Sequence, residues 1–189
     1  LYDFANSFVS IIFFLYFAQW VIVEQKVPDI YFNITFSIAA LLLLITVPVT
    51  GFLLDKYYRR IDGLRITTAL SVLFYGLCAV CTLGGNTTWS LIFFTIALYS
   101  YLLTFTFYTP LLNDIAPPEK RGKVSGWGIG ANYAGQILAL LSVLPFSTGT
   151  WSIFGASERA ETLLPAVLVF ALLTLPMLIL FQEPHREKT

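Results

Sequence analysis

The distribution of charged residues along the chain constrains the fold more than any other feature of the sequence. Charged residues are absent from 4–23, from 30–54 and from 162–182, and each of these stretches is mainly apolar. About 20 apolar residues, at 1.5 Å rise per residue in a helix, cross a hydrocarbon core of roughly 30 Å. These stretches therefore predict membrane-spanning helices. A composition of 57% hydrophobic and 12% charged residues excludes a soluble globular fold.

The longer uncharged stretches contain the remaining spans. The stretch 66–113 is too long for one helix, and the turn-forming residues Gly84, Gly85 and Asn86 divide it into two. A transmembrane β-barrel is excluded because segments such as 39–45 are apolar on every side. The sequence thus predicts an all-α integral membrane protein with six transmembrane helices, at about residues 4–23, 30–54, 66–83, 89–112, 124–146 and 162–182.

The lysines and arginines predict how these spans are oriented. Of the 11 basic residues, all but Lys26 and Arg159 fall in the loop after span two, the loop after span four and the tail. Six spans place these three segments on one side of the membrane. The positive-inside tendency predicts that this side, with the N-terminus, is cytoplasmic.

The same composition argues against several classes of function. An intramembrane enzyme needs a nucleophile and base, or metal ligands, within the spans, whereas the only histidine, His185, lies in the tail. No enzyme activity, metal or cofactor is predicted, and Cys78 and Cys81 are interpreted as small buried side chains. The balance of 11 basic and 11 acidic residues gives no reason to expect a nucleic-acid partner.

Because Met177 is the only methionine, we expect the chain to be a piece of a longer protein.

The loop after span two carries a glycine, an acid and bases at fixed offsets. A basic loop anchoring two spans explains the cations but not the glycine and the acid. The residues of this motif are Gly51, Asp55, Lys56, Arg59 and Arg60. Their spacing resembles the loop signature of the major facilitator superfamily, although Tyr58 stands where that family usually has glycine.

Three further segments, 2–7, 114–126 and 182–184, resemble the vacuole-effluxer-like branch of that superfamily, which includes a fungal vacuolar amino-acid exporter and bacterial relatives. The resemblance implies the N-terminal half of a twelve-span secondary transporter, built as 3+3 inverted repeats, with 1–189 as one domain. Its implied partners are a C-terminal six-helix half, the lipid bilayer and a small-molecule substrate, with amino acids first. The implied location is the inner membrane of a bacterium or the vacuolar membrane of a fungus.

The resemblance also implies a cytoplasmic gate, in which charged side chains at neighbouring helix ends close this side of the transporter. The residues assigned to the gate are Gly51, Asp55, Lys56, Arg59, Arg60, Asp114, Glu119 and Arg121.

Polar residues spaced three and four apart mark candidate substrate-binding faces on spans one, four and five. They either bond neighbouring helices, worth about 0.6–2 kcal/mol each, or line a central cavity, as the resemblance implies for spans one and four. Asp3 either caps its helix or handles a proton or a substrate amine. The candidate substrate-binding residues are Asp3, Asn6, Ser10, Tyr101, Thr104, Tyr108, Asn132 and Gln136.

Span five begins with small residues four apart, at Gly126, Gly130 and Ala134 and at Ala131 and Gly135. Such ladders let helix backbones approach closely, so the interpretation is mainly static packing. The alternative to a transporter is a six-helix membrane scaffold or accessory protein with no transport of its own.

Overall fold

The computed structural model describes residues 1–56, 59–115 and 117–180, with side chains for all of these except 53–56, 112–115 and 118. The described residues form helices and turns, with no strand among them. Among the described residues, six helices are long and apolar enough to cross a membrane, which confirms the predicted fold class. They are α1 (Tyr2–Glu24), α2 (Asp29–Lys56), α3 (Arg60–Leu83), α4 (Thr87–Ile115), α5 (Arg121–Ser147) and α6 (Glu158–Leu180).

Two helices begin earlier than the absence of charge had indicated. Helix α3 starts at Arg60 rather than near 66, and its early turns contain the ion pair between Arg65 and Asp62, with N···O at 3.4 Å. The Arg65 Nε also donates to the carbonyl of Leu178 at 2.7 Å. Charged side chains near a helix end can reach the membrane interface or pair there, so a charge does not mark where a helix begins.

Helix α6 likewise starts at Glu158 and contains Glu161, whose side chain is buried. One Glu161 carboxylate oxygen accepts the Ser152 hydroxyl at 2.7 Å, and the other accepts the Ile153 N–H at 2.6 Å. The preceding loop thus folds onto the acid and satisfies it, which is the condition for burying a charge.

Helix α1 departs from regular α-helical geometry in two places that the sequence did not predict. Phe13–Phe17 and Trp20–Glu24 are π-helical, and the Gln25 N–H donates to the carbonyl of Trp20, five residues back, at 2.9 Å. Each π turn inserts a residue relative to an α-helix and so changes which side chains face the interior.

The helix contacts show a two-fold pattern. Helix α1 packs against α5 and α6, α4 packs against α2 and α3, and α3 also packs against α6. Exchanging α1 with α4, α2 with α5 and α3 with α6 leaves this pattern unchanged, as 3+3 repeats require. Helices α1 and α4 are the most buried spans, whereas α2 and α5 are the least buried.

The core is rich in aromatic side chains where α1, α2, α3 and α4 meet. Phe94 of α4 contacts Phe17 at a ring-centroid distance of 4.8 Å and Phe32 at 5.4 Å. Phe13 contacts Tyr75 of α3 at 4.4 Å. These rings fill the part of the bundle that lies away from the start of α1.

The small residues of α5 divide between two environments. A Cβ at Gly135 would lie 2.5 Å from the carbonyl oxygen of Phe4, so this glycine permits the close approach of α1 and α5. At Gly126 and Gly130 a Cβ would meet nothing within 4 Å among the described residues. The packing interpretation therefore holds for Gly135, while Gly126 and Gly130 make no such contact within the described chain.

Candidate functional site

An open cleft of about 440 Å³ lies between the first turns of α1 and α5. Both helices start on the side of the bundle that carries the two basic loops. One carboxylate, one amide and two hydroxyl side chains give the cleft its polar character. Its lining residues are Asp3, Val124, Ser125, Gly128, Ile129, Asn132 and Tyr133.

Asp3 is the acidic residue of this cleft. Its Oδ2 accepts a hydrogen bond from the Tyr108 hydroxyl at 3.0 Å. A Cβ at position 128 would lie 3.0 Å from the same oxygen, so Gly128 allows the carboxylate to lie against α5. Among the residues whose side chains are described, no lysine or arginine forms an ion pair with Asp3. A partly buried carboxylate without a cation is a site that can take up a proton or a cationic group.

The capping interpretation of Asp3 is not what the structure shows. The N-cap of α1 is Leu1, and no side chain makes a capping hydrogen bond there. The Asp3 carboxylate instead joins α1 to α4 through Tyr108.

Two tyrosines, Tyr2 and Tyr108, pack together next to the Asp3 carboxylate. The rings of Tyr2 and Tyr108 are 4.7 Å apart between centroids, and the Tyr2 hydroxyl lies 2.6 Å from the Thr68 hydroxyl of α3. Asp3 is therefore linked through Tyr108 and then Tyr2 to the hydroxyl of Thr68 on α3. Sequence reasoning missed Tyr2 and Thr68, because periodicity within one helix does not show which helix lies opposite.

The structure brings together some of the predicted substrate-binding residues. Asp3 and Asn132 line the cleft, and Tyr108 bonds Asp3 from behind. Gln136, one turn further along α5, donates its Nε2 to the Oδ1 of Asn132 at 2.8 Å. Sequence reasoning missed Ser125 and Tyr133 in the lining. Ser125 lies seven residues before Asn132 on the same helix, which is a usable signal, whereas Tyr133 directly follows Asn132 and its spacing gives none.

The other four predicted residues do not line this cleft. Asn6, Ser10, Tyr101 and Thr104 are buried inside the bundle. The Ser10 hydroxyl donates to the carbonyl of Ser7 at 3.3 Å, and the Thr104 hydroxyl donates to the carbonyl of Tyr101 at 2.5 Å. They lie between helices of this bundle.

The predicted cytoplasmic gate is described only in part. Arg60 and Arg121 are the first residues of α3 and α5, and Arg59 precedes α3 with an extended backbone. Glu119 is exposed in a short 3₁₀ turn, and a Cβ at Gly51 would meet nothing within 4 Å among the described atoms. The side chains of Asp55, Lys56 and Asp114 lie outside those that the structure describes. The gate therefore stays a prediction.

Within the described part of the chain, no group of three or more histidine, cysteine, aspartate or glutamate residues could hold a metal ion. Cys78 is buried, Cys81 is partly buried, and both are free thiols.

Six apolar helices with a two-fold contact pattern define a multi-pass membrane protein. The chain belongs to the Major Facilitator Superfamily, whose family model matches residues 2–140. This family consists of membrane transporters, so the protein is placed in that general class. Neither the comparison with curated proteins nor that with solved structures gives a match.

Proposed function

We propose that this chain is the N-terminal half of a secondary transporter that moves a small solute by alternating access, rocking against a C-terminal half. Family membership and the two-fold helix packing support the transporter class. The observation that carries the proposal is Asp3, a carboxylate that faces an open cleft and pairs with no cation among the described side chains.

We propose a solute with an amine, with amino acids first and other small metabolites second. The Asp3 carboxylate would accept the ammonium group, and the amide of Asn132 and the hydroxyl of Ser125 would bond the polar remainder. The likeness to the vacuole-effluxer-like branch supports the choice of amino acids.

The Asp3–Tyr108 hydrogen bond suits a role in switching. It joins α1 to α4, the two most buried spans. An ammonium group or a proton on Asp3 would weaken the hold of Tyr108 on the carboxylate, because the hydroxyl bonds most strongly to the charged form. Binding at Asp3 would then bias the position of α1 against α4. The basic loops favour a cytoplasmic location for this cleft.

The test uses the full-length protein in vesicles, with uptake of labelled amino acids measured with and without a proton gradient. The Asp3→Asn variant should lose at least about tenfold in transport, since one charge-assisted hydrogen bond is worth roughly 1.5–3 kcal/mol. The matched control is Asp62→Asn, which removes a carboxylate that lies outside the cleft and pairs with Arg65. Wild-type rates and wild-type pH dependence in Asp3→Asn would refute the assignment of Asp3. Absence of any solute transport by the wild-type protein would favour the scaffold alternative.

A further inference from the structure

Two buried side chains inside the half-bundle have polar atoms without hydrogen-bond partners. Asn6 of α1 is 1% exposed, and neither its amide oxygen nor its amide nitrogen is bonded among the described residues. Tyr75 of α3 is fully buried, and its hydroxyl likewise has no partner among them. Buried polar groups in native proteins are nearly always satisfied, by protein or by ordered water.

The surroundings of these two side chains are polar on three helices. Each helix contributes residues spaced three or four apart, so each presents one polar face to the others. All of these side chains are buried. We name this set the polar column; its members are Tyr2, Asn6 and Ser10 on α1, Thr68, Ser71 and Tyr75 on α3, and Tyr101, Thr104 and Tyr108 on α4.

Contacts between the members show that the column is continuous along the bundle. The Tyr2 hydroxyl, which contacts Thr68 at 2.6 Å, lies near the Asn6 side chain. Ser10, one turn beyond Asn6, lies near the Tyr101 hydroxyl. The rings of Tyr101 and Tyr75 are 6.3 Å apart between centroids.

Hydroxyl oxygens of the column can accept hydrogen bonds from a water molecule that is bound at the unpaired polar atoms of Asn6 or Tyr75. Thr104 and Ser71 donate their protons to backbone carbonyls of their own helices, at 2.5 and 2.8 Å. A hydroxyl that donates in this way keeps lone pairs for a further donor. A water molecule supplies two donors and two acceptors, so it can accept from Asn6 or Tyr75 and donate to these oxygens.

The two ends of the column differ. At the outer end, Tyr108 bonds Asp3, which faces the open cleft. At the inner end, the rings of Phe13 and Phe94 lie 4.4 and 6.4 Å from the ring of Tyr75. The aromatic rings thus close the inner end of the column, and a water molecule in the column would exchange with the Asp3 side.

We propose that this half-bundle binds ordered water between α1, α3 and α4, anchored at Asn6 and reaching Tyr75. The site is distinct from the solute cleft between α1 and α5, and it does not depend on the identity of the solute. It gives α3 a role inside the bundle in addition to packing.

The first test is hydroxyl-radical labelling of the full-length protein in lipid nanodiscs, with radicals generated from the water by X-rays and read by mass spectrometry. Buried side chains react when a bound water lies beside them. Tyr75 should be labelled at least about tenfold faster than Trp20, an equally buried aromatic residue outside the column. Equal protection of Tyr75 and Trp20 would overturn the proposal.

The second test measures whether substitution of Asn6 raises or lowers the Tm. The Asn6→Leu variant keeps the number and branching of the side-chain heavy atoms and removes the amide. If the amide anchors water, this variant should have a lower Tm and slower Tyr75 labelling, because the water loses its partner. If Asn6 is an unsatisfied group, the same change removes a desolvated amide and should raise the Tm, which would contradict the proposal. Thr35→Val, a buried hydroxyl outside the column, controls for the loss of any buried polar group.

Discussion

The contact between Arg159 and the end of α1 leads to the most quantitative prediction from this structure. Arg159 lies in the first turn of α6, and its guanidinium spans two residues of α1. Its Nε donates to the Oε1 of Gln19 at 3.0 Å, and its Nη1 donates to the Oε1 of Glu24 at 2.7 Å. The Arg159 and Glu24 side chains are 35% and 19% exposed.

The spacing of the two acceptors connects this contact to the π geometry of α1. Residues five apart are rotated by about 140° in a regular α-helix, at 3.6 residues per turn. In a π turn they are hydrogen-bond partners and lie almost above one another. Gln19 directly precedes the π-helical segment Trp20–Glu24, and Glu24 is the last residue of that segment. In this geometry both acceptors lie within reach of the Arg159 guanidinium, so we expect the contact to stabilise the π turn.

The size of the effect follows from the chemistry of the pair. A hydrogen bond to a charged group contributes about 1.5–3 kcal/mol, and partial exposure lowers the ionic part toward the surface value of about 1 kcal/mol or less. We therefore expect Arg159→Gln to lower the free energy of unfolding by about 2 kcal/mol. At roughly 2–4 °C per kcal/mol for a chain of this size, the Tm should fall by about 4–8 °C.

A double-mutant cycle separates the pair from other effects of the substitution. Arg159→Gln, Glu24→Gln and the double variant should give a coupling energy of about 1–2 kcal/mol from thermal unfolding. The matched control is the cycle for Arg65 and Asp62, a longer and more exposed pair at 3.4 Å, for which about 0.5 kcal/mol or less is expected. A coupling for Arg159 and Glu24 no larger than that of the control pair would refute the reasoning.

Two further predictions concern the contacts of α1 with α5 and α4. Gly135→Ala should destabilise the protein by about 1–3 kcal/mol, since its Cβ would meet the Phe4 carbonyl oxygen at 2.5 Å. Gly130→Ala, with nothing within 4 Å, should instead be neutral or stabilising by up to about 1 kcal/mol in the same thermal unfolding assay. Tyr108→Phe should cost about 1–3 kcal/mol and reduce solute uptake, because it removes the donor to Asp3. Unchanged uptake in Tyr108→Phe would contradict the switching role of that bond.

The fold could be predicted from the sequence because a charged side chain in lipid costs free energy at its own position, so the uncharged stretches mark the spans. Each long uncharged stretch had to be a helix, since only a helix satisfies its own backbone in lipid. The same reasoning misplaced the start of α3, because Arg65 and Asp62 pair with each other within the helix. It could not reveal the π turns of α1, because no local residue pattern encodes them and a distant residue, Arg159, contacts one of them.

The site was harder to predict than the fold, for a different physical reason. Spacing of three and four residues grouped Asn6 with Ser10 and Thr104 with Tyr108, because such residues share a helix face. It did not show what each face meets. In a soluble helix the polar face points to water, but in a bundle surrounded by lipid a polar face turns inward. The packing of α1 against its neighbouring helices decides that Asn6 is buried, and the approach of α1 to α5 decides that Asp3 lines the cleft.

The two-fold packing also shows where the two three-helix repeats of this bundle, α1–α3 and α4–α6, differ chemically. Exchange of α1 with α4 and of α5 with α2 relates the Asp3 cleft to a second groove, of about 430 Å³, between the first turns of α2 and α4. Tyr31 and threonines, including Thr35, Thr88 and Thr95, give that groove its hydroxyl groups, and no carboxylate lines it. The repeats therefore share their packing but not their charge. A charged solute or a proton would have different free energies in the two grooves, because a carboxylate lines the cleft at Asp3 and none lines the second groove.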